Sequence, residues 1–259
     1  MIRKLSIIGG VVLSSLVFAQ EKVSFSKEQL KKMDDYLFDE MLVAGSTKKP
    51  STIILKNGST VEGVAKDVDY KKGLLYAIEI KDNAGKSHKY DSEEIAELYL
   101  PVPKVGKALA VSKYLSTSKN WGRKSLNKST NPNEVYLRNL KTAIRNKKDE
   151  KEYLLQLVNP DFSSRIEVYA DPRATETGGM KFGVGGFVSP GVGGGVTKSY
   201  YVKKGDHVVW LQKSDFEENY KMLFGDNAEF MKKYPYKSIK WEHFSYLVME
   251  YTRLSEEGA

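Results

Sequence analysis

Residues 51–100 read STIILKNGSTVEGVAKDVDYKKGLLYAIEIKDNAGKSHKYDSEEIAELYL. Asn57-Gly58 is a hairpin turn, because both positions tolerate positive φ. Lys72-Gly73 and Asn83-Ala84-Gly85 punctuate the segment twice more. Between the turns lie β-branched and apolar runs: Ile53 to Leu55, Val61 through Val64 to Val68, Leu74 to Ile80, His88 to Tyr90, and Ile95 to Leu100. The third run alternates so that Leu74, Tyr76, Ile78 and Ile80 share one face. Five short strands in about fifty residues predict a small curled β-barrel.

Upstream, Ser26-Lys27-Glu28-Gln29 is a capping box, and Leu30, Met33, Leu37 and Met41 follow at helical spacing. The predicted helix runs to about Val43, where Gly45 and Ser46 end it. Further upstream, Arg3 and Lys4 precede an apolar run from Leu5 to Phe18. Val17-Phe18-Ala19 then offers a small-x-small cleavage site with Gln20 as the new N-terminus. This is the pattern of a secretory signal peptide over residues 1–19. The alternative is a membrane anchor, for which the apolar run falls short of the ~20 residues a spanning helix needs. The expected location is outside the cytoplasm: periplasmic, associated with the outer membrane, or extracellular.

The chain holds no cysteine, so neither a lipid-modified cysteine nor a disulfide is available. Its net charge is +8, and +6 once Arg3 and Lys4 leave with the leader. That balance suits a lysine-rich solvated surface. It also suits attraction to an anionic partner such as lipopolysaccharide, anionic lipid or nucleic acid. The partner expected is an envelope protein or an anionic surface.

Pro101 and Pro103 close the first β unit. Residues 104–131, rich in Lys, Ser, Asn and Thr, read as a linker or exposed excursion. Pro132 followed by Leu137, Leu140 and Ile144 predicts an amphipathic helix, and the charged run Arg145 to Glu152 predicts a turn in solvent. A second β unit follows. It contains Tyr153 to Val158, a turn at Asn159-Pro160-Asp161, and a strand in which Ile166, Val168 and Ala170 alternate with Glu167 and Tyr169, leaving one wet face. A hairpin of Tyr200 to Val202 and Val208 to Leu211 turns at Lys204-Gly205-Asp206. Ser214 to Glu217 is a second capping box, ahead of Phe216, Tyr220 and Phe224. Ala228 to Tyr234 stops at Pro235. Trp241, Phe244, Leu247, Val248, Tyr251 and Leu254 stripe the last helix, as core packing would require. The expectation is an α+β chain: a helix and small barrel over 20–103, an excursion over 104–131, and an α+β unit over 132–259. Whether the two β units form one domain or two stays open.

Leu55-Lys56-Asn57-Gly58, Gly63 and Asp69, at that spacing and behind a helix, resemble the first motif of the Sm-like barrel, over residues 26–100. The resemblance implies RNA contacts from an Asp and an Asn near the third loop and an Arg-Gly pair in a second motif. Asp69 is in place, but Gly73 stands where the Asn is expected. Tyr90-Asp91-Ser92-Glu93-Glu94-Ile95 has no Arg-Gly, and its acids would repel phosphate, so no nucleic acid is expected. An SH3-like barrel is the other reading. Sm-like barrels associate through edge strands, which makes a homo-oligomer through barrel edges an extension of this reading. The leader ending in Ala-Gln, the lack of cysteine, the Tyr200-Tyr201-Val202-Lys203-Lys204-Gly205 strand and the Phe216-Tyr220-Phe224-Asp226 helix together resemble exported proteins of Bacteroidota that carry no assigned activity.

No cofactor is implied. Nine of the nineteen residues from Gly178 to Val196 are glycine. A phosphate-cradling loop would need a helix N-terminus after it, whereas strand follows here. The segment reads as a hairpin connection or as a mildly apolar flap, whose binding residues would be Met180, Phe182, Phe187 and Val188. His88, His207 and His243 lack the spacing of a metal site. Ser116-x-x-Lys119 and Ser46-x-x-Lys49 lack the partner motifs of a serine acyl-enzyme, and the pairs Asp34-Asp35 and Glu93-Glu94 read as solvated faces. The leading expectation is a non-enzymatic binding or scaffolding module of the cell envelope. The alternatives are an envelope-polymer hydrolase with a site assembled from distant residues, and a surface- or lipid-associated protein using the Gly-rich loop.

Overall fold

The turn residues of the 51–100 segment set its strands. The computed structural model describes residues 23–34, 38, 48–101, 134–145, 149–174, 183–184, 187–188 and 199–258. Strands β1 (Pro50–Leu55), β2 (Thr60–Lys71), β3 (Leu74–Lys81), β4 (Ser87–Asp91) and β5 (Ile95–Pro101) occupy the five predicted runs. Gly58 has φ +84°, and Lys72 and Gly73 both have positive φ, at 52° and 81°. Two consecutive positive-φ residues give a turn whose twist matches the strands it joins. Gly63 answers a different need. A Cβ there would lie 2.4 Å from the Lys81 carbonyl oxygen and 2.5 Å from Ile80 Cγ2, so β2 crosses β3 at a distance that only glycine allows.

β3 does not keep Leu74, Tyr76, Ile78 and Ile80 on one face. Asp69 pairs with Ala77 and Tyr70 with Leu75, so Tyr76 is an extra residue in the ladder. A bulge rotates the strand past it. Leu75, Ile78 and Ile80 then enter the barrel interior, while Tyr76 is 43% exposed. The same residue marks a change of partner, because Leu75 pairs with a later strand and Ala77–Lys81 pair with β4.

The barrel closes only with strands from beyond residue 131. β6 (Glu134–Thr142) pairs with β5, and β7 (Lys151–Gln156) joins β6 to β3. The order β2-β1-β5-β6-β7-β3 returns to β2 and makes a closed six-stranded antiparallel barrel, with β4 attached outside the ring. Where a helix is expected from Pro132 to Ile144, Glu134–Thr142 is therefore a strand. The segment's apolar residues serve two cores: Val135 and Leu137 face the barrel interior, and Leu140 and Ile144 join a separate cluster. A strand buried on both faces loses its period-2 alternation, and the leftover Leu137/Leu140 spacing imitates a helix.

A three-stranded sheet, β8 (Glu167–Ala170), β11 (Ser199–Lys204) and β12 (His207–Gln212), packs across the outer wall of β6 and β7 in the order β12-β11-β8. Its strands alternate strictly. Tyr169, Tyr201, Val208 and Trp210 point to the barrel with Leu140, Leu155 and Leu157, and Val168, Tyr200, Val202, Val209 and Leu211 point to the helices. The face of β8 expected to be wet is covered, since Tyr169 is fully buried against the barrel. β9 (Gly183–Val184) and β10 (Phe187–Val188) form a separate two-stranded pair.

The helices make the third layer. α1 (Lys27–Asp34) starts at the predicted capping box: Gln29 N donates to Ser26 Oγ at 3.2 Å, and Ser26 N donates to Gln29 Oε1 at 2.8 Å. Its Met33 is buried with α2 (Phe216–Phe224), α3 (Ala228–Lys233) and α4 (Phe244–Glu257). The box expected at Ser214 does not form, because Ser214 Oγ donates to Asp215 Oδ1 instead. The aromatic stripe is core, as expected: Trp241 and Phe244 stack at 5.3 Å, and Phe216 meets both edge-on.

Candidate ligand-binding cleft

The seam between barrel and sheet is apolar at its centre and polar at both ends. At one end, β6 runs out through Thr142 and Ile144 to Arg145, whose φ of +50° turns the chain sharply. A non-glycine residue in this conformation is held there by its contacts. Arg145 N donates to Tyr201 Oη at 3.0 Å, and Arg145 Nε donates to Asp171 Oδ2 at 3.3 Å. A second guanidinium nitrogen donates to the Arg173 carbonyl. Far from turning in solvent as the charged run suggests, Arg145 clamps the barrel to the sheet.

Asp171 follows directly on β8, and its side chain is fully buried. Beyond Arg145, its Oδ2 accepts from Ser199 Oγ at 2.7 Å and from Trp210 Nε1 at 3.0 Å, and its Oδ1 accepts from Arg173 N at 2.8 Å. These donors satisfy a carboxylate that water does not reach. It positions its neighbours and has no lone pair aimed at open space. Burial, and then the nearby Asp171 charge, push the Tyr201 phenol well above its ordinary range. The Arg145 guanidinium lies 5.6 Å from the centre of the Trp210 ring, within cation–π distance.

Beside this cluster lies a cleft of about 440 Å³. Thr142, Ala143, Arg145 and Glu150 line it from the barrel, and Val208, Trp210, Gln212 and Asp215 from the sheet side. Asp171 already balances the Arg145 charge, so among the described lining residues Glu150 and Asp215 leave a net negative charge.

The other end of the seam carries a second network. Arg138 reaches Glu97 at 3.3 Å and Glu167 at 3.5 Å, and its Nε donates to Tyr136 Oη at 2.8 Å. Tyr136 stacks on Tyr99 at 4.6 Å. Tyr169 Oη donates to Glu167. Burial, then the hydrogen bond to a carboxylate, raises both Tyr136 and Tyr169. These groups satisfy one another across the barrel–sheet joint.

The sequence points elsewhere for the binding residues. Phe187 and Val188 form β10, pairing with Val184 and Gly183, while Met180 and Phe182 lie outside the described residues. Ser116, Lys119 and Ser46 also lie outside them. His88 sits 3.5 Å from Asp82 on the surface, and buried His243 accepts from Lys240 N. No metal-binding group of His, Cys, Asp and Glu occurs among the described residues, and no described helix is long and apolar enough to cross a membrane. Arg145, Asp171, Ser199 and Trp210 escaped sequence reading because they are ordinary residue types far apart in the chain. The one available signal was positional: an acid placed directly after a strand, before Pro172, and a Trp alternating on a neighbouring strand.

Comparison of the chain with protein-family models, with curated proteins and with solved structures gave no match. The barrel and its cleft therefore stand on geometry alone.

Proposed function

We propose that the protein is an exported binding module of the cell envelope, and that it takes its ligand in the cleft between Arg145 and Trp210. One observation carries this reading. The buried carboxylate beside the cleft, Asp171, spends its oxygens on Arg145, Ser199, Trp210 and Arg173, which makes the cleft rigid. Rigid walls with an indole, a guanidinium, an amide and two rim carboxylates suit recognition of a polar ligand. Export rests on the Arg3-Lys4 start, the apolar run to Phe18 and the Ala19 site. An Sm-like origin of the barrel is supported by the Asn57-Gly58 turn, the close crossing at Gly63 and the helix preceding β1.

The test places the photo-crosslinking residue p-benzoylphenylalanine at Gln212 in the cleft or at Glu229 on the exposed helical side, in cells producing the full chain. Discrete adducts from the Gln212 position alone support a cleft ligand. Equal or absent labelling at the two positions overturns it. Recovery of a periplasmic chain beginning at Gln20 supports export.

A further inference from the structure

The edge strands β4 and β12 differ in how their outer edges are guarded. β4 is short and carries Lys89 and Asp91 at exposed positions, the usual means of discouraging further pairing. β12, His207-Val208-Val209-Trp210-Leu211-Gln212, has no Lys, Arg, Asp, Glu or Pro, and its register with β11 runs without a bulge. Its turn, Gly205-Asp206, closes on the pair Lys204 and His207. Hydrogen-bonded pairs alternate from that point, so the N–H and C=O groups of Val208 and Trp210 point away from β11. The same two residues present their side chains to the cleft.

A strand laid beside β12 would meet those outward backbone groups, and its barrel-side side chains would enter the cleft. The charge there selects the side chain. Arg145 is neutralised by Asp171 at 3.3 Å, whereas Glu150 and Asp215 face the cleft with no comparable partner among the described residues: Glu150 meets Lys141 only at 4.0 Å, and Asp215 accepts from Ser214 and Gln212.

We propose that β12 docks an extended peptide segment of a partner protein, which joins the sheet as a fourth strand and places a lysine or arginine side chain between Glu150 and Asp215. Main-chain bonds to the edge give affinity, and the acidic cleft gives selection. This rests on the cleft being the ligand face.

The probe is a fluorescein-labelled peptide, Thr-Val-Thr-Val-Lys-Val-Thr-Val-Thr, titrated with the full chain by anisotropy. Two controls replace the central Lys with Glu or N-methylate alternate residues. The Lys peptide is expected to saturate and to bind at least tenfold tighter than the Glu peptide, and N-methylation should abolish binding. Glu150→Lys, a surface change that leaves packing untouched, should weaken the Lys peptide at least fivefold. Val208→Pro should abolish binding by removing an outward N–H that no ladder bond uses. Equal affinity for Lys and Glu peptides, or full binding of the N-methylated one, overturns the proposal. So does strong exchange protection of the Val208 and Trp210 amides in the free chain, since the edge would then be covered by the chain itself or by a second copy. If none of the peptides binds while Gln212 still crosslinks, strand addition fails and the cleft reading survives. If both experiments fail, both readings fall.

Discussion

Ser199 donates its hydroxyl to Asp171 over 2.7 Å, so the two ends of the 172–198 excursion are fastened to one carboxylate. The same carboxylate holds Arg145 from the barrel and Trp210 from the sheet edge. Removing it takes the counter-charge from a half-buried guanidinium and leaves three donors, Ser199 Oγ, Trp210 Nε1 and Arg173 N, without that acceptor. Asp171→Ala is expected to cost about 3–5 kcal/mol in urea denaturation. Asp171→Asn, which keeps the shape and one acceptor, should cost less. Equal losses from the two variants would show that shape matters there and charge does not.

The six-stranded closure predicts how a cut chain behaves. A protease site inserted near residue 115 separates β1–β5 from β6 and β7. Because β5 pairs with β6 and β3 meets β7, the two fragments should co-elute in native size-exclusion chromatography and part only in denaturant. Independent elution of the fragments would contradict the closure.

Glycines 58 and 63 fail for different reasons when substituted. Gly58→Ala meets open space but a left-handed backbone, and should lose about 1–2 kcal/mol. Gly58→Asn should recover part of that, since Asn tolerates the conformation. Gly63→Ala drives a methyl into the Lys81 carbonyl, and about 1–3 kcal/mol is expected, with no recovery by Asn. Denaturant midpoints of the four variants distinguish the two mechanisms.

Glu250 gives the helical layer a pH dependence. Desolvation pushes its pKa up, but hydrogen bonds from Arg253, Tyr234 and Lys233 outweigh that and hold it below the ordinary glutamate range. A folded pKa below the unfolded one contributes stability that is full above about pH 4.3 and is lost as pH falls through the lower folded value. Glu250→Gln should therefore flatten the acid limb of stability below about pH 4.3 while lowering stability at pH 7. An unchanged acid limb would show that the carboxylate carries no such linkage.

The strands of residues 50–101 were legible because their turns carry a local signature: Gly58 and Gly73 sit at positive φ, which glycine accepts at no steric cost. Ser26 and Gln29 were legible for the same reason, since both halves of the capping box lie within one turn. β6 was not, because Val135 and Leu137 answer to one core while Leu140 and Ile144 answer to another. β8 misled in the opposite direction. Glu167 and Tyr169 look solvent-facing, yet they meet Arg138 and the barrel wall. The cleft was illegible because its parts, Arg145, Asp171 and Trp210, converge only after three strands have been placed.

The ring of strands also sets an order of events in folding. β5 must wait for β6, more than thirty residues later, and β3 for β7, about eighty residues later. Such distant pairings are slow, since each closes a long loop before any contact rewards it. Until β7 arrives, the hairpins of residues 50–101 expose open edges and a half-built apolar interior. A chain emerging in order from its N-terminus is therefore most vulnerable to wrong partners over the interval in which residues 102–150 appear. Lys89 and Asp91 on β4 guard a strand that is finished before that interval begins.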